Sequence, residues 1–170
     1  MTPEGPSPDE ALTEFLNPEG TRFTDGDAVQ ERAITLMSEE GVEAETIETF
    51  FREQLERMEH PLDRTVCRHW LRTLAIERGE IRKAAELSEA QIDDLLAGGR
   101  PESAASEAAT AAAAYQQAGL SGEARLVLSR GYNCLRTARK NPGDMKPEQA
   151  AVAQGAAKRL LDDVRQSIAS

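Results

Sequence analysis

Apolar and small residues recur at three- and four-residue spacing through most of the chain, and no stretch of any length alternates with period two. The pattern therefore predicts helices and no sheet. The stretch around which the rest is organised runs from Pro101 to Lys140. Alanine recurs from Ala104 to Ala114 within a predicted helix from Glu102 to Gln117, and Gly119-Leu120-Ser121-Gly122 forms a turn. A second helix from Glu123 to Lys140 then repeats Ala124, Val127, Leu128, Gly131, Leu135 and Ala138 on one face. Alanine has no bulk and loses no side-chain entropy in a helix, so the first of the pair is predicted to be an inner helix that neighbours approach closely.

Ahead of this hairpin, Thr24 or Asp25 can cap a helix running to Glu40, with Val29, Ala33, Leu36 and Met37 on one side and Gly41 as its stop. Glu43 to Glu59 follows, with Ala44, Ile47, Phe51, Leu55 and Met58 as a seam. Pro61 suits the first position of a helix that buries Val66, Cys67, Trp70, Leu71, Leu74 and Ala75. Gly79 interrupts before Glu80 to Glu86; Ser88 and Gln91 then have capping-box spacing, with Leu87 and Ile92 as a staple, and predict a fresh helix start. After Asn141-Pro142-Gly143, Pro147 opens a last helix with the stripe Ala153, Ala156, Ala157, Leu160, Leu161, Val164 and Ile168. Thr2 to Pro8 reads as loose chain, and Ala11 to Leu16 as one helical turn with Leu12, Phe15 and Leu16 inward. The expectation is an all-α, single-domain bundle of six or seven helices. It covers 24–170, in segments 24–78, 80–98, 101–140 and 147–170, behind a flexible tail at 1–23. Phe51 and Trp70 are expected in the core of its front half.

Charge changes the picture. The 170 residues carry 20 Lys+Arg against 30 Asp+Glu, a net charge of −10, and the acidity is concentrated early. Up to His60 the cations are Arg22, Arg32, Arg52 and Arg57 alone. Glu45, Glu48 and Glu56 are expected on the acidic outer face of the Glu43–Glu59 helix, and Arg64, Arg68 and Arg72 on a basic ridge of the next. Arg125, Arg136, Arg139 and Lys140 lie in a stretch, Ala124 to Gly143, without an acid. Oppositely charged faces of this kind can attract each other, a protein partner, or another copy of the chain. Cys67 and Cys134 sit in apolar stripes of different helices, which argues against a disulfide and for a reducing, cytoplasmic setting. The N-terminus lacks the basic start and apolar run of a signal peptide, and no segment has the length of apolar residues that a membrane span needs.

In the hairpin, Ala112, Tyr115, Gly119, Ala124 and Leu128 fall where a tetratricopeptide repeat places its small helix-A residue, tyrosine, turn glycine, helix-B alanine and large helix-B residue. The hairpin thus resembles one such unit, which implies a scaffold that binds peptides or proteins. It departs at Ala108, Ala111 and Gly131, and no second copy is found at Ile81 or Gln149. An ordinary alanine-rich hairpin explains the same residues. Ile81 to Gly98 resembles a helix-turn-helix of the phage-repressor type at Ile81, Ala85, Leu87, Ser88, Ile92 and Leu95, and departs at Arg82 and Glu86. Its would-be recognition helix offers Glu89, Asp93 and Asp94 with no cation before Arg100, so it would repel phosphates.

Potential metal ligands gather only at Glu56, Glu59, His60, Cys67 and His69, but Cys67 and His69, two apart on a helix, point to different sides. There is no phosphate loop, nucleophile elbow, or histidine spaced to serve a Ser or Cys nucleophile. The sequence reading is therefore a non-enzymatic protein–protein interaction module without cofactor: an adaptor, scaffold or assembly subunit. Its candidate contacts are Arg64, Arg68, Arg72, Glu45, Glu48, Glu56, Arg125, Arg136, Arg139 and Lys140. A helix-turn-helix nucleic-acid regulator is the alternative.

Overall fold

A computed structural model describes residues 7–169. Among the described residues the architecture is all-α, as expected, with eight helices rather than six or seven and no strand. They are α1 (Pro8–Thr13), α2 (Gly26–Ser38), α3 (Ala44–Arg57), α4 (Pro61–Glu77), α5 (Ile81–Ala97), α6 (Pro101–Gln117), α7 (Ser121–Lys140) and α8 (Pro147–Ala169). The chain separates into two compact units, Met1–Leu74 and Ala75–Ser170. Most of the stretch expected to be loose at Thr2 to Pro8 lies outside the described residues. Its last two residues do not behave as loose chain: Ser7 caps α1 through a reciprocal capping box with Glu10, and Pro8 is the first helical residue.

In the first unit, the Asp25 carboxylate caps α2 by accepting from the backbone N–H groups of Asp27 and Ala28 at 3.1 and 3.0 Å. The helix that follows buries Val29, Ala33 and Leu36. The core is aromatic. Phe51 lies stacked on Trp70 with centroids 5.6 Å apart, Phe50 meets it edge-on at 5.2 Å, and Phe23 stands 6.4 Å away. Asp63, in the first turn of α4, is buried. Its carboxylate accepts from Arg22 Nε at 3.3 Å and the Phe23 N–H at 3.4 Å, which fixes the loop that delivers Phe23 to this cluster. His60 starts α4, its Nδ1 accepting the N–H of Leu62 at 3.2 Å.

The second unit is built around α6, which packs on α5, α7 and α8, while α7 and α8 also pack on each other. Ala104, Ala105, Ala108, Ala109, Ala111 and Ala112 are all buried, so the alanine helix is the inner one, as its composition predicts. A buried methyl contributes only about 0.8 kcal/mol, so the value of alanine here is the proximity it permits to larger neighbours. α7 comes closest at Gly131, where a Cβ would lie 2.5 Å from Leu161 Cδ2 and 2.9 Å from Ala108 Cβ.

Three connections in this half share one construction. Gly79, Gly99 and Gly119, twenty residues apart, have φ of +75°, +75° and +79°, a region open to glycine at little cost. Each ends its helix with a Schellman pair; in the last, the Gly119 N–H donates to Gln116 O at 3.0 Å and the Leu120 N–H to Tyr115 O at 2.8 Å.

The helix start expected at Ser88 does not exist. α5 is one uninterrupted helix of 17 residues, so the segment that resembled a helix-turn-helix has no turn. Ala84, Ala85, Ser88, Gln91 and Ile92 form a continuous buried stripe, and packing of that stripe outweighs a local cap at a place with neither Gly nor Pro to break the helix.

Candidate functional site

Five cations of the second unit gather along one seam. On α7, Arg125, Arg136 and Arg139 stand seven before, four after and seven after Tyr132, which puts all four residues on one flank of the helix. The Tyr132 hydroxyl identifies that flank by donating to Asp162 Oδ1 on α8 at 2.6 Å. Lys158 and Arg165 lie four before and three after Asp162, on the flank of α8 that meets Tyr132. Lys158 Nζ is 2.6 Å from Asp162 Oδ2 and the Arg165 guanidinium 3.6 Å from Oδ1. Arg165 also sits 5.4 Å from the Tyr132 ring centroid, over its face. Arg125, Arg136 and Arg139 are exposed, and the side chains of Lys158 and Arg165 are 52% and 62% exposed.

This contact also sets the titration of its members. Burial, reinforced by the hydrogen bond to Asp162, pushes the Tyr132 hydroxyl up to about 12. The hydrogen bonds from Lys158 and Tyr132 hold the Asp162 carboxyl below the usual carboxylate range. At neutral pH the tyrosine is thus a neutral donor and the aspartate an anion that holds two cations in place. A similar tie, Tyr115 to Glu89, fastens α6 to α5, and burial again raises the tyrosine.

The expected contact residues fare differently. Arg125, Arg136, Arg139 and Lys140 are exposed on α7, and Arg136 also donates to Asn133 Oδ1. Arg130 turns the other way and pairs with Asp93 of α5. Arg64, Arg68 and Arg72 do not form an open ridge: all three are half-buried, and Arg72 meets His69 Nδ1 at 3.0 Å. Their spacing sets them beside the buried residues Cys67, Trp70, Leu71 and Leu74, so their aliphatic stems share that burial. Glu45 and Glu56 are exposed, but Glu48 is buried and pairs with Arg52 one turn on, because it borders the Ile47 and Phe51 seam.

Among the described residues no group of three or more His, Cys, Asp or Glu is placed to hold a metal ion. Cys67 and Cys134 are buried free thiols, and burial pushes Cys67 up to about 12. No helix among the described residues is long and apolar enough to cross a membrane.

One further surface was hidden in the pattern. α5 and α8 leave the fourth side of α6 uncovered, as a groove of about 380 Å³ along Thr110, Ala113 and Gln117. Ile76 and Leu160, 51% and 47% exposed, wall it together with Ile81 and Val164. Leu160 and Leu161 were both expected in the stripe of the last helix; only Leu161 is fully buried.

The α7 half of the basic seam was visible in the sequence. The α8 half was missed, although Lys158-Asp162-Arg165 has the spacing of paired charges on one helix face. Comparisons with protein-family models, curated proteins and solved structures give no match, so the tetratricopeptide-like spacing of Tyr115, Gly119, Ala124 and Leu128 rests on the hairpin alone.

Proposed function

We propose that the chain is a non-enzymatic protein–protein interaction module, an adaptor, scaffold or assembly subunit that works in the cytoplasm through charged helical faces. The observation that carries this reading is the seam of α7 and α8. A chain of net charge −10 presents Arg125, Arg136 and Arg139 to solvent on the same flank as Lys158 and Arg165. Exposed charges add little to folding stability but steer and select partners. The buried free thiols fit a reducing compartment.

The test is a variant with Arg136→Glu and Arg139→Glu. Its association with partners captured from the source cell, or with itself, should weaken, and most strongly at low salt. Unchanged native mass and an unchanged set of co-purifying proteins would remove the reading.

A further inference from the structure

We infer that the α7–α8 seam docks an acidic helix of another protein. The inference rests on the interaction reading above and adds the chemistry of the partner. Charge complementarity is the argument. From Arg125 to Arg139 the cations of α7 span about 21 Å at the helical rise, and Lys158 to Arg165 on α8 about 10 Å. That spread matches carboxylates placed at three- and four-residue intervals on three or four turns of a facing helix.

The seam is also ordered before a partner arrives. Asp162 holds Lys158 and Arg165, and is itself held by the Tyr132 hydroxyl. Pre-positioned long side chains lose less rotamer freedom on binding than free ones. Arg125, Arg136 and Arg139 all follow Glu123, the last acid of their own helix, so no carboxylate of α7 is interspersed among them. By its spacing Glu148, in the first turn of α8, shares the flank of Asp162 and bounds the seam at one end.

Two other anionic occupants fit less well. Nucleic acid presents an unbroken run of phosphates to a molecule of net charge −10, and the Tyr132 face that could stack on a base is taken by Arg165. A second copy brings another net charge of −10, which repels at long range whatever its local contacts.

The experiment is fluorescence anisotropy with the full chain and a labelled, alanine-based helical peptide bearing glutamates at i, i+4, i+7 and i+11, against the same peptide with glutamines. The glutamate peptide should bind at least about tenfold more tightly at low salt, and the difference should collapse at about 0.5 M salt, where the Debye length is only a few ångströms. Changing Arg125, Arg136 and Arg139 together to Glu should remove binding, and changing them to Lys should keep most of it. Arg82→Glu, at an exposed position of α5, should leave it unchanged.

Equal affinity for the two peptides, or a glutamate peptide indifferent to the triple Glu change, overturns the inference. So does tighter binding of a short DNA duplex, or self-association that blocks the peptide. If peptide binding fails while the Arg136→Glu, Arg139→Glu variant still loses its cellular partners, the acidic-helix inference falls and the interaction module stands.

Discussion

Replacing Gly131 by alanine sets two effects against each other. In a helix interior alanine is favoured over glycine by about 0.8–1 kcal/mol, so propensity alone predicts a more stable protein. The geometry predicts the opposite. The new methyl would stand 2.5 Å from Leu161 Cδ2 and 2.9 Å from Ala108 Cβ, and both neighbours are fully buried. Leu161 can yield only by leaving its rotamer, at about 0.5–1.5 kcal/mol. The Ala108 methyl is fixed to the backbone of α6 and moves only with the helix. Overpacking of this kind costs about 1–3 kcal/mol, and because the Ala108 methyl cannot give way the upper part of that range, about 2–3 kcal/mol, applies; less the propensity gain, Gly131→Ala should destabilise by about 1–2 kcal/mol. Urea unfolding followed by circular dichroism measures the loss. Native-state hydrogen exchange should place it in α6, α7 and α8, which matters in a chain of two units where one transition need not report both. Leu161→Ala alone should cost about 2–5 kcal/mol. Adding Gly131→Ala to that variant should cost less than adding it to the wild type, because the vacated space takes the methyl. A Gly131→Ala protein as stable as the wild type, or strictly additive effects, would refute the close approach.

The contrasting site is Gly155 on α8, where a Cβ meets nothing within 4 Å; Gly155→Ala should stabilise by about 0.5–1 kcal/mol in the same assay, and a loss would show that the propensity argument fails here. The chain has two tyrosines, and both are raised in the fold, Tyr132 to about 12 and Tyr115 in the same direction. Since the unfolded chain releases these protons first, at about pH 10, their contribution is complete below that pH and is lost as pH rises through the folded values. Tyrosinate absorbance should therefore appear later in native than in urea-unfolded protein, and coincident curves would contradict the two hydrogen bonds. Cys67 and Cys134 should resist a thiol reagent at mildly alkaline pH until denaturant is added, since both are buried and raised; prompt reaction of either in the native protein would count against its burial.

Much of the fold was legible because its signals are local. Asp25, Pro61 and Pro147 mark helix starts by side-chain chemistry that acts within one turn, and the alanine run from Ala104 to Ala114 announces an inner helix by lack of bulk. Ser88 shows where local reading fails. Its capping-box spacing is real, but the stripe from Ala84 to Ile92 gains more from burial against α6 than the cap would supply, so the helix runs through. Glu48 and the three arginines of α4 fail for a related reason: spacing gives a direction around the helix axis, and only packing says where the core ends and solvent begins. The groove between α5 and α8 could not be read at all, since it depends on which of two adjacent leucines, Leu160 or Leu161, turns inward. The recurrence of Gly79, Gly99 and Gly119 was available in the sequence, as a period of one helix and its turn rather than of a two-helix repeat.

The same physics separates the cations of α7 and α8 that helix chemistry explains from those that it does not. Arg139 and Lys140 occupy the last turn of α7, where a cation is stabilised by the negative end of the helix dipole; they need no partner to account for them. Arg125 stands near the start of α7, where the dipole disfavours a cation, and only Glu123 in the first turn offsets it. Arg165 lies in the second half of α8 but before its last turn, which holds no basic residue, and Arg136 precedes the last turn of α7. These three gain little from helix ends. The substitution that discriminates is therefore Arg125→Ala beside Lys140→Ala. If the seam is a contact surface, the first should weaken binding of an acidic helix while helix stability holds or rises, and the second, off the seam, should lower helix stability while binding holds. A binding loss at Lys140 with none at Arg125 would place the contact off the seam and refute it.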